Sequence, residues 1–419
     1  MEVDRFRGAG SDSMEDSGSA FVRHTTARLA RSITPSFTVM RVDHGEVTEY
    51  FLTGKPREGA GGNLEPTEGL YARLAAFLSE EKAAIVQERC YGETEAYREA
   101  VQVRRRIYSR HGINGDGALS YVGQGPCRGK GIAGVHLWAA RSQSSEPVVE
   151  PLSVEGRTVG RAFCTDSVRF ISIPRVGPSG RRSGDGPEAK RDNAASMFRE
   201  VSRLLGSLNL SYRNVARTWI YLPSLLEWYG EFNAARRQVY SEAGLISGGS
   251  PRWLPASTGI QGGCPDGWDC MIDVLALARR DGAELEVRML ESPDQCEAYC
   301  YGSSFSRAVE IKDRRVSRIF VSGTASIDRE GNTVYAGDFE AQARHTLRVV
   351  RDLLGVRNHG FEDVAQAVVF LKHKNLLEAW RSVASEEDFD HRLCIETVAD
   401  ICREDLLIEL EVMTLKVVV

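Results

Sequence analysis

Two glutamates near the end of the chain, Glu409 and Glu411, lie two residues apart in the run LLIELEVM, which is otherwise apolar. In a strand alternate side chains share a face, so Leu407, Glu409, Glu411 and Met413 point one way and Ile408, Leu410 and Val412 the other. Against solvent such glutamates are ordinary surface residues. Against a pocket, burial raises the pKa of a carboxyl and makes it a candidate general acid, and a second carboxylate nearby pushes the two apart. Just upstream, Cys402 precedes Arg403, a cation that lowers a thiol pKa when the side chains are close. A lone cysteine of this kind is otherwise a small buried hydrophobe.

The rest of the 419-residue chain narrows the chemistry. Nine cysteines without a CxxC pair and eight dispersed histidines without HExxH argue against a disulfide framework and a metal site. Neither GxGxxG nor GxxxxGK occurs, and the glycine-rich GQGPCRGKG at 123–131 leads into a strand-like run instead of a helix, so no phosphate cradle is expected. A formal net charge of -5 gives no electrostatic footprint for nucleic acid, and no apolar run approaches the roughly 20 residues of a membrane span. The first residues lack the apolar core of a signal peptide, and the expectation is a cytoplasmic protein.

The elements that must position these residues recur three times in one order: strand, helix, strand, helix, strand, strand. The last copy runs from 318-RIFVSGTASI-327 through a long amphipathic helix, 338-DFEAQARHTLRVVRDLLG-355, to the strands around 392–398 and 406–417. The middle copy runs from 168-VRFISI-173 to 270-CMIDVLALA-278, and the first from 48-TEYFLTG-54 to 131-GIAGVHLWAA-140. Spacings of roughly 130 to 150 residues mark domain duplication. The expected units are 36–145, 146–285 with an inserted loop at 174–190, and 286–419, after a disordered segment 1–35. Setting the three last strands side by side places Glu409 opposite Asp273 and Gly134.

The third copy resembles the Rid superfamily, also called YjgF-like or reactive-intermediate deaminase, through VSGTASID at 321–328, 337-GDFEAQARHTLRVVRDLL-354, 364-VAQAVVFLK-372 and 405-DLLIELEVM-413. The middle copy is similar through 214-NVARTWIYLPSLLEWYGEFNAARRQVY-240. Over roughly the last 260 residues, 293-PDQCEAYCYGSSFSRAVEI-311 and 399-ADICREDLLIELE-411 look like the chorismatase branch. The resemblance implies an α+β chain of three tandem Rid-like, chorismate-mutase-like units closed into an intramolecular pseudo-trimer, with sites in the clefts between units. It implies removal of the enolpyruvyl group of chorismate, or of a related small carboxylic acid, as pyruvate. Two alternatives stay open: an enamine or imine deaminase with Glu409 orienting water and Arg392 holding a carboxylate, and a non-catalytic protein that binds a small acid.

In the chorismatase reading Glu409 protonates substrate and Cys402 steers the product. An anionic substrate calls for cations, preferably guanidinium forks. Arg307, Arg217 and Lys372 are the candidates, with Arg392 from the deaminase pattern. Tyr221, Ser257, Thr258 and Gly259 are expected to line the same cleft from the second unit. No metal or organic cofactor is expected. The expected partner is a small-molecule carboxylic acid, with no nucleic acid or membrane, and the chain is expected as a monomer or a dimer of whole chains.

Overall fold

The computed structural model describes residues 27–34, 37–57, 65–144, 146–180 and 186–418. The first sheet contains β1 (Arg28–Thr34), β2 (Phe37–Asp43), β3 (Val47–Gly54), β4 (Ala84–Gly92), β5 (Leu119–Gly123) and β6 (Ile132–Ser142), with α1 (Thr67–Glu81) and α2 (Tyr97–Arg110) between its strands. The second contains β7 (Val149–Val154), β8 (Arg157–Cys164), β9 (Val168–Val176), β10 (Val215–Leu222), β13 (Ala256–Gln261) and β14 (Met271–Arg279), with α3 (Pro187–Ser207) and α4 (Leu225–Glu242). A short ribbon of β11 (Ile246–Ser247) and β12 (Ser250–Pro251) follows α4. The third contains β15 (Leu285–Leu290), β16 (Ala308–Asp313), β17 (Val316–Ala325), β18 (Val364–Leu371), β19 (Cys394–Val398) and β20 (Ile408–Val417), with α5 (Phe339–Gly355) and α6 (Leu377–Glu386).

All three sheets have the same strand order: the chain-order first, second, third, sixth, fourth and fifth strands lie side by side. Each is a mixed sheet, because the fifth strand runs parallel to the fourth after a helical crossover, while the other pairings are antiparallel. The chain is therefore a mixed α+β protein. Each sheet has two strands before the expected set. Residues 28–34, expected to be disordered, form β1 and pair along their whole length with β2; residues 1–26 lie outside the described residues. Within the expected loop 174–190, β9 continues to Val176 and α3 begins at Pro187, a residue suited to the first helical turn. Residues 181–185 of that loop lie outside the described residues.

Alternation on the last strand of each sheet divides the core. Ile408, Leu410 and Val412 of β20 pack toward α5 and α6, whose apolar stripes include Leu347, Val350, Leu354 and Trp380. Asp338 caps α5 by accepting from the Ala341 amide at 3.1 Å. The opposite faces of all three sheets meet in one shared cluster containing Phe51, Trp138, Trp219, Leu275, Phe320 and Met413. Single β-bridges also tie the sheets in turn: Gly123 to Gly263, Ala256 to Ser306, and Pro126 to Thr397. Burial of this two-sided kind, with helices outside and another sheet inside, explains why these strands read as nearly continuous apolar runs. Among the described residues no helix is long and apolar enough to cross a membrane.

Candidate active site

Glu409 lies on β20 between Ala325 of β17 and Phe370 of β18, on the face turned to the second sheet. It is only 4% exposed, and it lines a cavity of about 650 Å³ between the second and third sheets. No described residue hydrogen-bonds its carboxyl group. Burial, followed by the charge of Glu411, raises its pKa to about 8, against the smaller pull of Arg217 and Arg307. The opening left for it depends on Gly323 of β17. A Cβ there would lie well inside contact distance of Glu409 Oε1.

Glu411 has a different fate on the same face. Its carboxylate accepts from Arg217 Nη2 at 3.0 Å, Arg89 Nη1 at 3.3 Å and Trp219 Nε1 at 3.2 Å. It is thus a buried ion-paired group fixed from both of the other sheets, whereas Glu409 faces open space. The two carboxyls differ in partners, not in strand face.

Arg307 lines the cavity opposite, oriented by the Cys296 carbonyl, which accepts from Nε at 2.9 Å and also from Nη2. Its guanidinium lies 5.4 Å from the Tyr301 ring and 5.7 Å from that of Phe305. Arg237 of α4 donates to the Gly302 carbonyl at 2.7 Å, and Arg403 donates to Thr333 Oγ1 at 3.3 Å; both reach the cavity wall. The segment carrying Cys402 is held against the second sheet, where the Asp400 amide donates to Gln261 Oε1 at 2.9 Å and the Gln261 amide to the Asp400 carbonyl at 3.2 Å. Cys402 lines the cavity, but burial and then the nearby Glu409 push its thiol up to about 12, overriding Arg403. Arg403 does lower the thiol pKa, but desolvation exceeds that attraction.

Of the residues named from sequence, the fold brings Glu409, Cys402, Arg307, Ser257 and Gly259 to one cavity. Thr258 turns inward and accepts from Arg217 Nη2 at 2.5 Å. Four expectations are corrected. Arg217 is buried and committed to Glu411 and Thr258. Tyr221 belongs to the shared apolar cluster. Lys372 pairs with Glu404 at 3.0 Å and Asp400 at 3.5 Å, off the cavity wall. Arg392 pairs with Asp390 at 2.8 Å and lines another cleft, between the third and first sheets. Sequence reasoning missed Gly323, Tyr229, Asn233, Arg237, Tyr301 and Phe305. Gly323 was inside a quoted motif, but only the approach of Glu409 gives it a reason to be glycine.

The pairing registers also correct the comparison of last strands. Phe370 opposite Glu409, Tyr221 opposite Met271 and Tyr91 opposite Gly134 are corresponding pairs. Asp273, opposite Trp219, instead corresponds to Glu411 and to His136. The equivalents of Glu409 are therefore Met271 and Gly134, and the acid occurs in one copy. Each of these three positions follows a cysteine by seven residues: Cys402, Cys264 and Cys127.

Residues 302–416 match the family model described as Endoribonuclease L-PSP. A chorismatase from Streptomyces hygroscopicus is 28% identical over 281 residues, covering 62% of this chain and 75% of that protein. A 3-hydroxybenzoate synthase from the same organism is 26% identical over 291 residues, covering 63% of this chain and 79% of that protein. A crystal structure of a chorismatase has the same fold, with a TM-score of 0.58 and 23% identity over 88% of this chain and 99% of that one. The family match is to residues 302–416, and the repeated sheet order extends the same kind of unit to the rest of the described chain. Over about 60% of its length the chain is similar in sequence to chorismatases and to a 3-hydroxybenzoate synthase.

Proposed function

We propose that this chain converts chorismate, releasing its enolpyruvyl group as pyruvate, with Glu409 as the general acid. The observation that carries the reading is a buried carboxyl, open to a 650 Å³ cavity and free of hydrogen-bond partners among the described residues, whose raised pKa keeps it largely protonated at neutral pH. Its proton goes to the methylene carbon of the enol ether, making a methyl group and an oxocarbenium ion. Water then adds to the oxocarbenium carbon and loses one proton to the Glu409 carboxylate; the resulting hemiketal collapses as the bond from that carbon to the ring oxygen breaks, the ring oxygen taking a proton and the hemiketal hydroxyl losing one, which leaves pyruvate and a ring alcohol. Where a hydroxyl of the substrate adds first, water opens the resulting ketal in the same way before pyruvate leaves. Arg307, with its planar fork held by the Cys296 carbonyl and stacked near Tyr301, supplies the cation for a substrate carboxylate, and Arg237 and Arg403 add positive charge to the same walls. Cys402, a neutral thiol beside the acid, is positioned to bias which nucleophile captures the cation.

The proposal includes the domain organisation: units at 36–145, 146–285 and 286–419, closed into an intramolecular pseudo-trimer. Its support is the shared sheet order, the common apolar cluster and the three bridges that link the sheets in turn. It also includes a small-molecule substrate without nucleic acid, in the cytoplasm. The deaminase alternative requires Arg392 and Glu409 to face one ligand, and they line different cavities. The test is pyruvate release from chorismate by the whole chain, with ammonia release from 2-aminoacrylate as the competing readout. Pyruvate that depends on Glu409 supports the proposal; ammonia without pyruvate rejects it.

A further inference from the structure

The fifth strands of the three sheets end at matching positions. Gly123, Gln261 and Val398 pair with Gly92, Leu222 and Leu371, the residues that follow the matched Tyr91, Tyr221 and Phe370. Beyond each strand end lies the loop that carries Cys127, Cys264 or Cys402. Each strand end is also tied to the loop of another sheet, at the residue two places past the corresponding position. Gly123 exchanges both backbone hydrogen bonds with Gly263, at 2.8 and 2.9 Å, and the Val398 amide donates to the Gly125 carbonyl at 3.1 Å. The Gln261 amide makes the remaining tie, to the Asp400 carbonyl at 3.2 Å.

Only at this last junction does a side chain catch the amide of the loop. The Asp400 amide donates to Gln261 Oε1 at 2.9 Å. The Gln261 carbonyl, whose counterpart on Gly123 completes a two-way bridge, accepts instead from Gln124 Nε2 of the first sheet. Gln261 Nε2 reaches the Pro223 carbonyl at 3.5 Å, so its oxygen faces a donor and its nitrogen an acceptor. Glycine and valine at the two equivalent positions have no group that could do the same. The glutamine therefore stands at the one junction of the three whose loop enters the cleft of Glu409.

That loop is held at its far end too, where Gln342 Oε1 accepts from the Leu407 amide at 2.8 Å and Nε2 donates to the Asp405 carbonyl at 2.8 Å. Cys402 and Arg403 lie between the two clamps, and both line the cavity. Gln342 belongs to α5, within the loop's own unit. Gln261 belongs to β13, the strand that brings Ser257 and Gly259 to the same cavity, so it sets where Cys402 stands relative to the wall supplied by the second sheet. We infer that Gln261 is a positioning residue that fixes Cys402 at the cavity wall and, through it, the choice between water and the substrate's own hydroxyl as nucleophile. The first part rests on the geometry of the junction, and the second rests on the reaction proposed above.

The test compares Gln261→Leu, which offers no acceptor, with Gln261→Glu, which keeps one. Alkylation of Cys402 by iodoacetamide, followed by peptide mass spectrometry on the whole chain, should rise about two- to tenfold in Gln261→Leu, the scale of one lost hydrogen bond, and return toward the wild-type rate in Gln261→Glu. Alkylation of the buried Cys127 should be the same in all three proteins. The ratio of water-captured to hydroxyl-captured product from chorismate should shift in the same order, with a smaller change in total pyruvate. Unchanged Cys402 labelling in Gln261→Leu, equal labelling in the two variants, or an equal rise at Cys127 would overturn the positioning role. Altered labelling with an unaltered product ratio would overturn the control of products. A wild type that releases no pyruvate while labelling keeps this order would remove the proposed substrate and support the positioning role alone.

Discussion

Two clefts of one chain share strand register and a cysteine–arginine pair, yet one contains a buried acid and the other a glycine. Cys402–Arg403 and Cys127–Arg128 each stand before the last strand of their sheets, and burial pushes both thiols up to about 12. Glu409 and Gly134 occupy matching positions on those strands. The thiol recurs in all three copies and the cation in two, since Pro265 follows Cys264 in the second, so between these two clefts the difference at the acid position comes down to one side chain and the room made for it. Gly323 makes that room in the first cleft, whereas Gly54 O and Ile395 close it in the second.

Making the two clefts alike should have the largest effect. Glu409→Gln keeps the volume and removes the proton, so pyruvate release from chorismate should fall about 10²- to 10⁴-fold in a protein with unchanged circular dichroism. Retention of near-wild-type release in that folded variant would remove Glu409 from the mechanism. Gly323→Ala tests the room instead of the acid: the added methyl displaces the carboxyl, and a shift of about 1 Å at a reacting group costs about 10²-fold. Its stability should change much less than its turnover, and equal losses of both would mark Gly323 as a packing residue only.

The third test concerns the neighbour that sets the acid's strength. The proposed mechanism uses protonated Glu409, so on it the rate should be level below about pH 8 and decline above it. Glu411→Gln removes a charge that raises the pKa and leaves Arg89 and Arg217 unbalanced, so the decline should move to lower pH. The broken buried pair should also cost about 3–5 kcal/mol of stability, readable by denaturant titration. An unshifted pH profile would show that burial alone sets the acid.

Stability gives a fourth, smaller signal. The folded pKa of Glu409 is raised above its unfolded value, so its contribution is fully present below the unfolded value near 4.5 and is lost as pH rises through about 8. The denaturation midpoint of the wild type should fall across that window more than that of Glu409→Gln. The smallest effect on rate is expected from Cys402→Ala, which should alter the ratio of products from chorismate, measured by chromatography, more than total pyruvate.

The sequence by itself determined the α+β class, the threefold repetition of strand and helix signals, and the placement of Glu409 and Glu411 on one face, because periods of 2 and 3.6 are written directly in the order of apolar residues. It also held Arg307, Ser257, Gly259 and Cys402 in motifs that the fold gathers at the cavity. The extra strands β7 and β8 were less legible because their exposed edge positions carry Glu150, Pro151 and Arg157 among the apolar residues. Only the tertiary structure decided which glutamate is free, since the partners of Glu411 are Arg89 and Arg217, 322 and 194 residues away. Likewise, only strand pairing could separate Asp273 from Met271 as the counterpart of Glu409: a slip of two residues keeps every side chain on its face, so alternation is blind to it, and the hydrogen-bonded register is not.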